Sequence, residues 1–315
     1  MIVLERLSLL LAELLRDDPR RLLLGEDVRD GGMLGLSRAA LADPELASRL
    51  VATPLVPGAA LAHAAGLAMA GRRPILVLPG ATALLDGLSG LRELARLRVS
   101  AGGERSGAVV VLAPTGPGLG LGGDGAESPD ALLAAIPGLR VVCLGNPAEA
   151  APLVRAAATF DAGEGPTVLL LPRSYLVAET GDDRPLDRPL GAARTRREGA
   201  RATLFAWGGA LVPALAAADQ VGDVTVVDLG GLAPLDAQAI AAAARTGKVV
   251  VAHPGGCGPL AAEVAALVAD LAVLHLDAPL LRVSGAEGPL AYPAEAAALP
   301  PVAALAEALN RVITY

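Results

Sequence analysis

The stretch RPILVLPG, residues 73–80, decides the fold class. Its centre is an uninterrupted apolar run, without the apolar–polar alternation of a strand that has one face in water. Runs of this kind are typical of parallel strands covered by helices on both faces of the sheet. The stretch therefore predicts a buried parallel strand.

Further runs of the same type recur along the first half of the chain: RLLLG (21–25), GAVVVLAP (107–114), LRVVCLG (139–145) and PTVLLLP (166–172). Alanine-rich helical stretches lie between them, such as GAALAHAAGLAMAG (58–71) and NPAEAAPLVRAAA (146–158). Alternating strands and helices predict an α/β fold with a doubly wound, mostly parallel sheet.

A break in the pattern divides the chain. Residues 179–199, ETGDDRPLDRPLGAARTRREG, are charged, contain proline and show no periodicity, which is typical of a linker. A second, smaller α/β series follows, with the strand candidates RATLFAWGG (201–209), DVTVVDLGG (223–231) and KVVVAHPGG (248–256). We predict a first domain over 1–180, a linker over 181–197 and a second domain over 198–315.

Composition excludes several classes of function. The net charge is −7 and basic residues form no large cluster, which argues against nucleic acid or an anionic membrane as a partner. The longest basic run, RTRR (194–197), is expected to coat a solvated linker. No apolar run reaches the roughly 20 residues of a membrane helix. Cys143 and Cys257 show no CxxC spacing, so we expect reduced thiols and a cytoplasmic protein.

Several segments, taken in order, carry a family resemblance: RDDPRRLLLGEDVRDGG (16–32), TPLVPGAALAHAAGLAMAGRRPI (53–75), TVVDLGGLAPLDAQAI (225–240) and LDAPLLRVSG (276–285). The chain resembles the β subunits of the thiamine-diphosphate-dependent decarboxylase component of 2-oxoacid dehydrogenase complexes. The resemblance covers essentially the whole chain. It implies a transketolase-like pyrimidine-binding domain followed by a smaller transketolase C-terminal domain.

One position departs sharply from that family. The family motif T-P-(I/L)-x-E-x-G-x-x-G begins at Thr53, so Leu55 takes its apolar position and Pro57 takes the place of its glutamate. The resemblance implies that this glutamate hydrogen-bonds N1′ of the cofactor's aminopyrimidine and promotes removal of the C2 proton. Proline has no side-chain donor or acceptor, so position 57 cannot perform this step.

Other expected pocket positions also differ. Ala81 and Ala83 stand where the family places aromatic rings against the pyrimidine, and Gly125 stands in place of a loop histidine. Glu26, in GED, matches a carboxylate that the family uses near the pyrimidine. It is equally interpreted as a strand-end acid that caps the following turn. Glu26, Leu55, Pro57, Ala81 and Ala83 thus form the expected remnant of a pyrimidine pocket.

The histidines and the glycine-rich stretch give weaker signals. His253 matches a strand-end histidine of the family and is, with Glu26, a candidate catalytic residue. His63 and His275 are interpreted as structural, and the histidines form no metal-binding constellation. PTGPGLGLGGDGAESPD (114–130) lacks the lysine and the spacing of a phosphate-binding loop, so we expect a flexible loop.

Three functional hypotheses follow. The chain is a catalytically degraded β subunit with a structural or regulatory role, an active β subunit with altered chemistry, or a binding protein that has reused the pyrimidine cleft. The resemblance implies a homodimer, or a heterotetramer with an α-subunit-like partner, and contacts with other components of the dehydrogenase complex. Thiamine diphosphate with Mg²⁺ is expected only at an interface with a partner subunit, or not at all.

Overall fold

The structure, a computed structural model, describes residues 1–100, 109–159, 165–181, 186–256 and 258–315. The chain folds into two compact units. The first comprises Met1–Thr115 and Leu132–Leu190, and the second comprises Gly116–Ala131 and Gly191–Tyr315. The segment Gly116–Ala131, which lies between two parts of the first unit in sequence, therefore belongs structurally to the second.

The first unit is built on a parallel sheet. Its strands pair in the order β5-β6-β4-β3-β1-β2. Its strands are β1 (Arg21–Gly25), β2 (Leu50–Ala52), β3 (Arg73–Val77), β4 (Val110–Thr115), β5 (Arg140–Cys143) and β6 (Thr167–Pro172). The accompanying helices are α1 (Val3–Asp17), α2 (Arg38–Leu41), α3 (Pro57–Met69), α4 (Ala83–Asp86), α5 (Leu88–Ser100), α8 (Ala150–Thr159) and α9 (Arg173–Leu176). α6 (Gly122–Ala126) and α7 (Asp130–Ala134) lie between β4 and β5 in sequence.

The strand interiors of this sheet are buried, as the unbroken apolar runs predict. In β1, β4 and β6 every residue is buried, which requires cover on both faces of the sheet. The N-terminal helix α1 contributes a row of leucines to the core on one face. The predicted α/β class with a mostly parallel sheet is confirmed for this unit.

The second unit has a smaller mixed sheet in the order β12-β11-β8-β9-β7. β7 is antiparallel to β9, and the other pairs are parallel. The strands of this sheet are β7 (Arg194–Arg197), β8 (Ala202–Ala206), β9 (Val224–Asp228), β11 (Val249–His253) and β12 (Leu281–Ser284). The unit also contains the short strand β10 (Gly231–Ala233), which is not part of this sheet. Its longer helices are α10 (Leu211–Val221), α11 (Ala237–Ala243), α12 (Pro259–Ala272) and α13 (Val302–Ile313).

The basic run RTRR does not behave as the solvated linker that we expected. It forms the edge strand β7, and the Arg196 guanidinium donates to the carboxylate of Asp228, with a Nη2–Oδ2 distance of 2.6 Å. Both side chains are almost fully buried. Composition alone predicts that Arg196 is solvated, but in the fold its charge is paired with that of Asp228.

One apolar helical stretch of the described chain, Tyr292–Ile313, is long enough by length and composition to cross a membrane. It is not a continuous α-helix, because 3₁₀ turns over Tyr292–Ala298 are followed by extended backbone at Leu299 and Pro301. Helix α13 then buries Leu305, Leu309 and Val312 in the core of the second unit. The C-terminal part of the stretch is therefore a helix with one face in the core of the second unit.

Candidate functional site

The carboxyl edge of the first sheet brings together several segments that sequence analysis singled out. Gly25, the last residue of β1, pairs with Ala52 of β2 and with Val77 of β3. The amide of Thr53 donates to the carbonyl oxygen of Gly25 at 3.0 Å. Residues that follow the ends of adjacent parallel strands line the usual ligand crevice of an α/β sheet. Glu26, which follows β1, and the segment that leads to Pro57, which follows β2, therefore both begin at this edge of the sheet.

Glu26 lies in the turn after β1 and is partly buried. Burial raises the pKa of its carboxyl group, and the neighbouring charge of Asp27 raises it further. A carboxyl group in such an environment accepts a proton more readily than an exposed one. Glu26 is thus a titratable side chain at the predicted pyrimidine site.

Pro57 is the first residue of α3. Proline suits this position, because its fixed φ matches the helix and its missing N–H would have had no partner within the helix. Leu55 and Val56, which precede it, are 67% and 52% exposed. The structure therefore gives Pro57 a clear structural role at a helix start, with no group that could exchange a proton.

The two alanines lie beyond the end of β3. Ala81 is fully buried, and its amide donates to the Pro114 carbonyl at 2.7 Å. Ala83 begins the short helix α4. Methyl groups therefore occupy the positions at which the family resemblance implies aromatic rings, and they offer little surface for stacking.

Arg173 is a residue at this edge that sequence analysis missed. It follows β6 directly and is 3% exposed. A methyl group at Gly80 would overlap its guanidinium, so the glycine leaves the space that the arginine fills. An arginine immediately after a buried strand was the available signal, because it indicates a charge at the carboxyl edge of the sheet.

The remaining candidates belong to the second unit. Gly125 lies in α6, inside the stretch expected to be a flexible loop. His253 is the last residue of β11, as expected, and is buried. Its ring stacks on Trp207 with a centroid distance of 6.1 Å, and its Nδ1 lies 3.1 Å from the Pro254 carbonyl oxygen. Burial lowers the pKa of His253, which favours the neutral ring.

Trp207 also connects to a buried acid. Its indole Nε1–H donates to Oδ2 of Asp130 at 2.6 Å, and the amide of Ala131 donates to Oδ1 of the same carboxylate at 2.7 Å. Burial raises the pKa of Asp130 to about 6, although these hydrogen bonds oppose the rise. Asp130, Trp207 and His253 therefore form one buried polar cluster that the sequence patterns did not predict.

The other predicted residues are distributed as follows. His63 and His275 are exposed, on α3 and in a short 3₁₀ turn after α12. Cys143 is buried at the end of β5, and Cys257 lies outside the described residues. Within the described ranges, no group of three or more His, Cys, Asp or Glu side chains is arranged to hold a metal ion.

Comparison with known proteins accounts for both units. The model of the transketolase pyrimidine binding domain matches residues 4–177, and that of the transketolase C-terminal domain matches residues 191–304. A solved structure of a split gene transketolase, described as an inactive beta4 tetramer, has a TM-score of 0.74 and 22% identity. The match covers 100% of this chain and 98% of that one. It supports the fold.

Curated relatives narrow the family. The chain is 33% identical over 308 residues to the pyruvate dehydrogenase E1 component subunit beta of Leifsonia xyli subsp. xyli, covering 95% of this chain and 90% of that protein. It is 32% identical over 296 residues to the 2-oxoisovalerate dehydrogenase subunit beta of Bacillus subtilis, covering 90% and 89%. This chain therefore belongs to the transketolase-like family of E1 β subunits of 2-oxoacid dehydrogenases.

Proposed function

We propose that this protein is an E1 β subunit that no longer supports thiamine-diphosphate chemistry and that serves as a structural or regulatory subunit. The observation that carries the proposal is Pro57 at the first position of α3. Members of the family use thiamine diphosphate. In this chain, the position that the family motif assigns to the activating glutamate holds proline, whose side chain has no ionisable proton and no hydrogen-bond acceptor.

The surrounding residues do not fit the cofactor's aminopyrimidine either. Ala81 is buried behind a backbone hydrogen bond to Pro114, and Ala83 is a helix start, so neither position presents a ring for stacking. Positioned acid–base groups contribute on the order of 10²–10⁴-fold to a rate. Position 57 lacks that group and the pocket lacks the stacking surface, so two contributions to the family reaction are missing together.

The intact scaffold favours a role in assembly. Helix α3 buries one face in its unit and exposes the other, which carries the small residues Ala59, Ala62 and Gly66 together with His63 and Met69. Small residues at helical spacing let another backbone approach closely. We propose that this face contacts an α-subunit-like partner or a second copy of the chain, in a cytoplasmic heterotetramer or homodimer.

A reconstituted decarboxylation assay tests the proposal. The purified chain is mixed with an α-like subunit, thiamine diphosphate and Mg²⁺, and carbon dioxide release is measured with pyruvate and with branched-chain 2-oxoacids. A β subunit that retains the motif glutamate, with its own α subunit, is the control for the reagents. We expect release at the level of a blank without protein. Turnover comparable to that of the control would refute the proposal.

Glu26 favours the second candidate, an active β subunit with altered chemistry. Its carboxyl group lies at the same sheet edge, and its pKa is raised by burial and by Asp27. If the assay shows turnover, Glu26→Gln should abolish it while Asp30→Asn, at an exposed position of the same turn region, should leave it unchanged. Equal loss in both variants would show that Glu26 has no specific role in the reaction.

A further inference from the structure

The glycine-rich segment Gly116–Ala131, here called the strap, is fastened within the second unit. Its glycines at positions 116, 118, 120 and 122 all have positive φ, between 67° and 134°. Alternating backbone conformations of this kind turn successive amide groups toward one side and form a concave site for an anion. The strap therefore presents a row of N–H donors.

A side chain of the same unit occupies this row. One carboxylate oxygen of Glu295, Oε1, accepts hydrogen bonds from the amides of Gly118 and Gly120 at 3.1 and 3.0 Å. The hydroxyl of Tyr292 donates to the Gly120 carbonyl oxygen. A methyl group at Gly122 would overlap the Tyr292 ring, and one at Gly123 would overlap the carbonyl of Leu290. The close contact between the strap and residues 290–295 thus depends on glycines in the strap and on the carboxylate of Glu295.

We propose that the Glu295 carboxylate fastens the strap. In the closed state it accepts hydrogen bonds from the strap amides, as in this structure, and in the open state these hydrogen bonds are broken. A strap that opens at one end needs one attachment that water can replace and one that it cannot. At its C-terminal end, Asp130 is buried and bonded to Trp207, whereas Glu295 is partly exposed. The Glu295 end can exchange its hydrogen bonds for water, and the Asp130 end stays anchored.

The ionisation of Glu295 agrees with this assignment. Partial burial works against its charged form, but hydrogen bonds from the amides of Gly120, Gly118, Gly122 and Leu121 outweigh that effect, and its pKa is lowered. Charge-assisted hydrogen bonds are stronger than neutral ones. Closure therefore depends on a charged carboxylate at this position, and a neutral side chain of similar size should hold the strap poorly.

Hydrogen exchange on the full chain tests the proposal. In Glu295→Ala and Glu295→Gln, we expect the amides of residues 118–122 to exchange at least about tenfold faster than in the wild type, as loss of a charge-assisted hydrogen bond implies. Glu287→Ala, at an exposed carboxylate, is the matched control and should exchange as the wild type does. The buried amides of β8 report in the same experiment that each variant is folded.

Added acetate distinguishes a carboxylate site from a general packing effect. In Glu295→Ala, acetate should slow exchange of the strap amides toward the wild-type rate, and chloride at the same ionic strength should not. Wild-type exchange rates in Glu295→Ala, or accelerated exchange that acetate leaves unchanged, would overturn the proposal. Tyr292→Phe, which removes one hydroxyl and keeps the ring, should accelerate exchange less than either Glu295 variant does.

Discussion

The indole of Trp207 donates a 2.6 Å hydrogen bond to the carboxylate of Asp130, although the two residues are 77 positions apart in the chain. Both side chains are at least 95% buried, at 1% and 5% exposure. A buried donor that loses its acceptor carries the full cost of its desolvation. This hydrogen bond is therefore expected to affect the stability of the second unit measurably.

Removal of the Asp130 side chain should destabilise the protein. We expect Asp130→Ala to lower the free energy of unfolding by about 1–3 kcal/mol, because the Trp207 N–H is left buried without its acceptor. Asp130→Asn should cost less, because its amide oxygen can still accept. Chemical denaturation monitored by Trp207 fluorescence measures both, with Asp270→Ala on the exposed face of α12 as the control. Equal stability of the Ala variant and the control would contradict the prediction.

The same carboxyl group predicts a pH dependence. Burial raises the pKa of Asp130 in the folded protein to about 6, above its ordinary value of 3.8. Between these values the folded state holds a proton that the unfolded state has lost. The Asp130 contribution to the free energy of unfolding should therefore fall as pH rises from about 4 to about 6, and it should be constant above.

The measurement is the difference in stability between the wild type and Asp130→Asn across that range. Taking the difference removes the contribution of His253, whose lowered pKa acts in the opposite sense by reducing stability as pH falls through the unfolded-state value. The wild type should lose stability relative to the Asn variant as pH rises. A difference that does not change between pH 4 and pH 7 would show that Asp130 is not perturbed.

Restoring the motif glutamate alone should not restore activity. We expect Pro57→Glu to remain at the blank level in the reconstituted decarboxylation assay, because Ala81, Ala83 and Gly125 are unchanged. A glutamate placed in an otherwise working pocket would be worth about 10²–10⁴-fold. A gain of that size from the single substitution would mean that the pocket is intact apart from position 57.

The exposed face of α3 gives a prediction about assembly. A Cβ atom at Gly66 would meet no neighbouring atom within 4 Å, and the position is exposed. Because leucine also favours a helix more than glycine does, we expect Gly66→Leu to leave the folded chain at least as stable. It should weaken association with the partner at least about tenfold, or about 1.4 kcal/mol, because close backbone approach is blocked.

Sedimentation equilibrium, with and without the α-like subunit, measures this effect. Ala303→Leu adds the same side chain at an exposed position of α13 and serves as the control. If the two variants assemble equally well, the α3 face is not the interface. Thermal unfolding of both variants checks that any loss of association does not reflect a loss of folding.

The fold could be predicted largely from sequence because its strands are recognisable locally. The run at 21–25 coincides with β1, and the run at 166–172 contains β6. Both are recognisable because a strand buried on both faces needs an unbroken apolar run. The structure of RTRR differs from the expectation, because a basic run is typical of a solvated segment unless a distant acid pairs with it. Asp228 supplies that acid, and it comes 32 positions later, next to Arg196 only in the folded sheet.

The candidate site was predictable where a sequence motif fixes a position and not where the fold assembles one. Pro57 and Glu26 could be placed by counting along the motif. The contact of Glu295 with Gly118 spans 177 positions, and no local pattern announces it. The glycines of the strap indicated a loop, but the carboxylate that orders it is visible only in the structure.

Calorimetric titration of thiamine diphosphate with Mg²⁺ shows whether the remnant of the pyrimidine pocket still binds the cofactor. The purified chain is titrated alone and mixed with the α-like subunit, and a β subunit that retains the motif glutamate is titrated with its α subunit as the control. We expect saturable binding in the control and none in either preparation of this chain. Saturable binding by this chain in either preparation would contradict this expectation, because it would show that a pocket with Pro57, Ala81 and Ala83 still accepts the cofactor.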